Sequence, residues 1–151
     1  MERVAILIPL AVGASALALT IVIHALAVAA TVHFVRHERR VGRAGAGFWP
    51  DVAIVAVAIS FLLGAHLLEI GVWAVLFMIC GEFPAFGTAY YHSAGNYTTL
   101  GYGDVIMTRS WRFLGSFEAA NGMLLFGVST AIIVAVIQSV IQARFPDVRG
   151  G

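Results

Sequence analysis

Three long apolar runs dominate this sequence and limit what it can fold into. They extend over Val4 to Val35, Val52 to Cys80 and Phe113 to Ala143. In a helix, which rises about 1.5 Å per residue, about 20 apolar residues cross the hydrocarbon core of a bilayer. Charged residues make up 11% of the chain, whereas soluble domains contain about 25%. We therefore predict an all-α integral membrane protein with three transmembrane helices.

The first run has an alternative interpretation, because its small residues "ALAVAA" also suit cleavage of a secretory signal. However, its apolar stretch is about twice the usual length of a signal core, and Arg3 is the one basic residue before it. We therefore predict that residues 1–35 form a retained, extra N-terminal transmembrane helix.

The placement of arginine predicts the orientation of the helices. Cytoplasmic loops of membrane proteins are enriched in basic residues, and two segments of this chain, residues 36–51 and 144–151, hold most of its arginines. We predict an arginine-rich cytoplasmic linker at 36–51, a cytoplasmic tail at 144–151 and an amino terminus on the outside. The absence of lysine, with many alanine, valine and arginine residues, is typical of GC-rich bacterial genomes, so we expect the inner (plasma) membrane. The arginines of these two segments are Arg36, Arg39, Arg40, Arg43, Arg144 and Arg149.

A polar, glycine-containing segment, "NYTTLGYGDV" at residues 96–105, separates the second and third apolar runs. Polar backbone at membrane depth is tolerated only where protein buries it or where it lines a path for water. Gly101 and Gly103 readily adopt positive φ, so alternating backbone conformations would turn successive carbonyl oxygens to one side. Such oxygens are suitable ligands for a dehydrated alkali cation. Asp104 would then place a carboxylate at the outer mouth, where it attracts cations.

The motif "TTLGYGD" at residues 98–104 resembles the selectivity filter of the potassium channel superfamily. The resemblance covers residues 52–143 and implies a re-entrant pore helix that enters the membrane partway, with its negative carboxyl end aimed at the filter. The extra helix at 1–35 is similar to that of small bacterial ion-channel proteins with three spans. The implied pore domain consists of an outer helix at 52–80, a pore helix at 84–97, the filter at 98–104 and an inner helix at 112–143.

The resemblance also implies which residues hold and pass the ion. Because one chain carries one filter strand, and the family builds its pore from four, we expect a homotetramer. The inner helix would open at a gating hinge, Gly122. The implied filter consists of Thr98, Thr99, Leu100, Gly101, Tyr102 and Gly103, of which Thr99, Leu100, Gly101 and Tyr102 would be the K⁺ ligands. The implied pore lining consists of Met123, Phe126, Gly127, Thr130, Val134 and Gln138.

Two departures from the family pattern lie beside the filter. Tyr91 and His92 occupy positions where many members have tryptophan, and Gly95 occupies one where some members have a carboxylate. A carboxylate within a membrane span usually faces protein rather than lipid. We hypothesise that Glu118 forms hydrogen bonds behind the filter and partly replaces the missing carboxylate. The predicted filter support consists of Glu118, Asn121 and Asn96.

The histidines permit a different interpretation. His24, His33, His66 and His92 lie in or near apolar runs, and two facing imidazoles could hold a haem. Histidines that are hydrogen-bonded or interfacial explain the same pattern without a cofactor, and we expect that arrangement. His66 also shares a helix face with Glu69, three residues later.

These observations together predict passive potassium conduction, with no enzymatic chemistry and no cofactor besides the transported K⁺. A weakly selective cation channel and a non-conducting accessory subunit remain as alternatives. The expected partners are the lipid bilayer and further copies of the chain, without nucleic acid and without a soluble small-molecule domain. Voltage sensing is not expected, because none of the three apolar runs carries arginines at three-residue intervals.

Overall fold

The computed structural model describes residues 2–145, and the side-chain surroundings of residues 7–145. Over this range the chain forms four helices and no strand: α1 at Glu2–Arg40, α2 at Phe48–Ile79, α3 at Phe86–Tyr97 and α4 at Phe113–Arg144. The prediction of an all-helical chain with three long apolar helices is therefore confirmed for the described residues. The segments that are long and apolar enough to cross a membrane are Leu7–Arg40, Phe48–Ile79 and Phe113–Arg144.

The helix α1 ends at Arg40 rather than at residue 35, so the connection to α2 is shorter than the predicted linker. No glycine or proline interrupts residues 36–40, and the helix continues until Gly42 adopts a φ of 73°. There the Gly42 N–H donates to the Arg39 carbonyl at 3.2 Å, and the Arg43 N–H donates to the Glu38 carbonyl at 3.0 Å. This pair of bonds is a Schellman motif, which satisfies the last carbonyls of a helix.

The helix α2 begins at Phe48 rather than at residue 52 and ends at Ile79. Pro50 lies in the first helical turn, where proline is tolerated because the N–H groups there have no helical partner. Gly81, with a φ of 77°, ends α2 in the same Schellman arrangement that Gly42 gives α1.

The described residues form two compact units, and the first comprises residues up to 24 together with residues 66–126. Gly13 lets α1 come close to α4 in this unit, because a Cβ atom at that position would lie 2.6 Å from the Phe117 ring. All four helices and the loop before α3 contribute to its core, which is formed by Ala16, Ile70, Trp73, Ala74, Phe77, Phe83, Ala89, Tyr97 and Leu114.

The second unit comprises residues 25–65 together with the chain from residue 127 onward. Asp51 accepts a hydrogen bond from the Gly45 N–H at 2.8 Å and pairs with Arg144 at 3.5 Å. Of the predicted tail, residues 146–151, including Arg149, lie outside the described residues, as does the side chain of Arg3. The apolar core of this unit is formed by Val35, Ile54, Ala58, Val136 and Val140.

Candidate functional site

The short helix α3 leads directly into the polar segment, residues 98–104. The backbone N–H groups of Thr98, Thr99 and Gly101 donate to carbonyls in the last turn of α3, at 3.1, 2.9 and 3.1 Å. These bonds satisfy carbonyls that a helix end otherwise leaves without a partner. The helix continues through Gly95 to Tyr97 despite the low helix propensity of glycine. The accepting carbonyls belong to Ala94, Asn96 and Gly95, respectively.

Alternate residues of the polar segment have a positive φ. The angle is 61° at Thr99, 55° at Gly101 and 75° at Gly103, whereas φ is not positive at Leu100 and Tyr102, which lie between them. Glycine adopts such angles without strain, but for a β-branched threonine a positive φ is a genuine outlier. Strained backbone of this kind is concentrated at functional sites. An alternation of left-handed and right-handed residues also turns successive peptide groups in the same direction.

Two side chains of α3 hold the far end of the segment. The Tyr91 hydroxyl donates to Asp104 Oδ2 at 3.0 Å, and His92 Nδ1 donates to the Val105 carbonyl at 2.8 Å. A carbonyl can only accept, so Nδ1 carries the proton, and Nε2 accepts from Asn96 Nδ2 at 2.9 Å. The sequence singled out Tyr91 and His92 as departures from the family pattern, but it did not reveal their partners 13 residues later.

The protonation of these two side chains follows from their surroundings. Burial lowers the pKa of His92 below its usual value, against the smaller, opposing effects of the Val105 hydrogen bond, Glu82 and Asp104. His92 is therefore neutral at neutral pH, in agreement with its hydrogen-bond partners. The hydrogen bond to Asp104 is the main cause that raises the pKa of the Tyr91 hydroxyl, so this side chain remains a donor.

Glu118 of α4 is fully buried against α3. Its carboxyl group contacts Ser93 Oγ, which also lies 2.8 Å from the Ile70 carbonyl oxygen, and the one hydroxyl proton can be donated to only one of these two acceptors. The contacts of Glu118 are thus with α3, the helix that precedes the polar segment.

The next two predicted residues of α4 make different contacts. Asn121 Nδ2 donates to Thr20 Oγ1 of α1 at 2.8 Å, so the structure places this side chain against α1 rather than behind the polar segment. Gly122 lies against the backbone of Tyr97, and a Cβ atom there would be 2.0 Å from the Tyr97 carbonyl oxygen. The helix α4 runs unbroken through Gly122, and close packing accounts for the glycine; its role as a gating hinge stays a prediction.

Most other predicted site residues are exposed in the single chain. Leu100 and Tyr102 are 58% and 70% exposed. The ring of Phe126 contacts those of Tyr97 and His66, with centroids 5.6 and 4.3 Å away. The remaining exposed residues of the predicted filter and pore lining are Thr98, Thr99, Gly101, Gly103, Met123, Gly127, Thr130, Val134 and Gln138.

The histidines are not arranged as two axial ligands on opposite faces of a haem. The rings of His24 and His66 contact each other, with centroids 5.0 Å apart, which leaves no space for a porphyrin between them. His92 is bound to the Val105 carbonyl, and His33 is exposed.

Comparison with known proteins bears on the same part of the chain. Residues 65–139 match a family model described as an ion channel, and this stretch includes α3, the polar segment and most of α4. Comparison with curated proteins gave no match, and comparison with solved structures gave none either. Together with the three long apolar helices, this match shows that the chain is a multi-pass membrane protein. Through residues 65–139, the chain belongs to the ion channel family.

Proposed function

We propose that this protein is one subunit of a potassium-selective channel, and that residues 98–104 form its selectivity filter. The observation that carries the proposal is the alternation of positive φ at Thr99, Gly101 and Gly103, within the region that matches the ion channel family. This alternation is the backbone condition under which successive carbonyl oxygens align on one side. An aligned row of carbonyls replaces the hydration shell of K⁺, and Thr99 adds its hydroxyl at the inner end.

A single row of carbonyls cannot surround an ion, so we propose that four copies of the chain enclose a central pore. The exposure of Leu100 and Tyr102 in the single chain supports this assembly, because large apolar and aromatic side chains at that level would be covered by neighbouring copies. Gly122 is the proposed hinge of the inner helices, whose exposed face would line the inner part of the pore.

Contacts at both ends of the segment and behind α3 support a filter held in one shape. The Tyr91 and His92 bonds to Asp104 and Val105 fix its outer end, while the bonds from its first residues to α3 fix its inner end. Glu118 is proposed to stiffen α3 from behind, through Ser93. A filter with both ends fixed keeps its carbonyl oxygens at the spacing that suits one ion size.

We further propose the orientation that the arginines predict, in the inner membrane of a bacterium. Asp104 then lies at the outer mouth, and the connection between α1 and α2 faces the cytoplasm, with the arginines at the end of α1. Ions would move passively down their electrochemical gradient, so the protein would carry out no enzymatic reaction.

Ion flux into liposomes tests this function. The purified protein is reconstituted, and cation uptake is followed in potassium gradients and then in sodium gradients, with and without barium. Potassium uptake that barium blocks and that sodium does not match is the expected result. Equal uptake of both ions would instead indicate a weakly selective cation channel, and no uptake would indicate a closed channel or an accessory subunit.

Two alanine variants make the test specific to the segment. Gly101→Ala forces a residue with a Cβ atom into a φ of 55°, and we expect it to abolish selective uptake. Gly64→Ala is the matched control, since a Cβ atom at this position of α2 has no neighbour within 4 Å. Equal and selective uptake by both variants would contradict the assignment of residues 98–104 as the filter.

A further inference from the structure

Four buried polar side chains meet within the first unit, at a place that ion conduction does not explain. His24 belongs to α1, His66 and Glu69 to α2, and Tyr97 is the last residue of α3. Their exposed fractions are 2%, 5%, 0% and 0%. Burying so many polar groups among apolar helices is costly unless they are paired with one another or with a bound ion. We call these four residues the His–Glu cluster.

The side chains of the His–Glu cluster converge on the Glu69 carboxylate. His24 Nδ1 lies 3.0 Å from Oε1, and His66 Nδ1 lies 3.3 Å from Oε2. The Tyr97 hydroxyl donates to Oε2 as well and lies 2.9 Å from His66 Nδ1. Two imidazole nitrogens from two helices are thus aimed at one carboxylate.

His66 Nδ1, Glu69 Oε2 and the Tyr97 hydroxyl oxygen lie close to one another in all three pairs, and a single proton cannot form all three hydrogen bonds. The hydroxyl proton is directed to the carboxylate. The imidazole must then either share one N–H between two oxygens or direct a lone pair at both of them. When the imidazole proton is on Nε2 instead, Nδ1 presents the lone pair that a metal ligand needs.

The chemistry of the cluster suits a metal ion. A carboxylate buried among apolar helices is costly unless a positive charge or hydrogen-bond donors compensate it, and a metal cation supplies such a charge. Imidazole nitrogen is a preferred ligand of Zn²⁺ and its first-row neighbours, whereas Mg²⁺ and Ca²⁺ prefer oxygen alone. Two histidines with one glutamate are a known ligand set for zinc, with a further position left open.

We propose that His24, His66 and Glu69 bind a divalent transition-metal ion of the zinc type, with Tyr97 positioning the carboxylate. One ligand atom from each of the three residues lies within 4.8 Å of the other two. Tetrahedral zinc with bonds of about 2.0–2.2 Å separates its ligand atoms by about 3.4 Å, so side-chain shifts of about 1 Å would suffice. The hydrogen bond from Tyr97 is of the kind that orients a metal-binding carboxylate from the second layer of contacts.

Metal content tests the proposal without any measurement of ion conduction. The full chain in lipid nanodiscs is stripped with EDTA, incubated with Zn²⁺ and desalted, and its zinc is then measured by mass spectrometry. We expect about one zinc ion per chain. Co²⁺ provides a second readout, since binding to nitrogen ligands in a tetrahedral site gives visible absorption bands that Zn²⁺ should abolish by competition.

Variants locate the metal. His24→Ala and Glu69→Gln should lose the bound zinc, whereas His33→Ala, an exposed histidine of the same helix as His24, should retain it. Tyr97→Phe should weaken binding by about 10- to 100-fold while leaving all three ligands in place. Circular dichroism checks that each variant is folded, and Glu69→Gln is the decisive one because it preserves the shape of the side chain.

Two results would overturn the proposal. If the folded wild-type protein retains no zinc and shows no cobalt absorption, the cluster is held by hydrogen bonds alone. If Glu69→Gln retains as much zinc as the wild type, the metal binds elsewhere.

Discussion

The polar segment is fixed at its two ends by the same kinds of side chain in opposite environments. As in the proposed orientation, we call the end at residue 104 the outer end and the end at residue 98 the inner end. At the outer end, an exposed tyrosine, Tyr91, bonds a carboxylate, Asp104, and a histidine bonds the neighbouring backbone. Just before its inner end, the fully buried Tyr97 bonds the carboxylate of Glu69 beside His66. Water competes for the hydrogen bonds of the outer end and is excluded from those of the inner end. Removing one partner therefore leaves a polar group without a hydrogen bond at the inner end only. The inner end is therefore held more firmly, and the hydrogen bonds of the outer end are the ones that pH and solvent can weaken.

The largest effect on stability is expected where backbone packing holds the inner end of the segment. Gly122→Ala places a Cβ atom 2.0 Å from the Tyr97 carbonyl oxygen, which α4 or α3 must move to accommodate. We expect a loss of about 3 kcal/mol or more, since overpacking commonly costs about 1–3 kcal/mol even among flexible side chains. Thermal unfolding in detergent measures it, with Gly64→Ala as control. A midpoint unchanged from the wild type would show that α3 is not held by this contact.

A smaller effect is expected from removing one hydroxyl at each end. Tyr97→Phe takes a donor from a buried carboxylate and should cost about 1–3 kcal/mol of unfolding free energy. Tyr91→Phe removes an exposed bond to Asp104 and should change stability less, although hydrogen exchange at the Val105 amide should speed up. Equal losses of stability in the two variants would mean that burial does not distinguish the two ends.

The smallest effect is expected from titration of His92 at the outer end. Its pKa is lowered in the folded state, so its contribution to stability is complete above the unfolded value of 6.5 and decreases as the pH falls below that value. Protonation also puts a proton on Nε2, which in the neutral ring accepts a hydrogen bond from Asn96, so this bond is lost. The unfolding midpoint, measured from about pH 8 to about pH 5, should fall more steeply in the wild type than in His92→Asn. Parallel curves would exclude His92 as the titrating group.

The sequence was sufficient for the spans and for part of the polar segment. Apolar runs of this length have one stable arrangement in a bilayer, and Gly101 and Gly103 indicated the positive φ that the structure has at both. Thr99 gave no such signal, because a β-branched residue argues against that backbone conformation. Its N–H and that of Gly101 bond to the last carbonyls of α3, and these backbone bonds have no signature in the residue types.

The packing faces of the helices were less accessible to sequence reasoning. In a membrane protein the lipid-facing side chains are as apolar as the buried ones, so apolar periodicity does not distinguish the two faces. The contact of α1 with α4 depends instead on small and polar residues, Gly13 and Thr20, which hydropathy treats as unremarkable. The extension of α1 to Arg40 was missed because composition suggested a loop, whereas the capping glycine lies at Gly42.

The positive φ at Thr99 has a consequence for how this position can vary among related chains. Backbone strain of this kind costs about 1–3 kcal/mol, and glycine would relieve it, as it does at Gly101 and Gly103. Glycine would also delete the hydroxyl, so the two requirements of this position select different residues. Relatives that conduct the same ion should therefore keep threonine or serine at this position, with its strained backbone. Relatives that have glycine there should be more stable and less selective between ions.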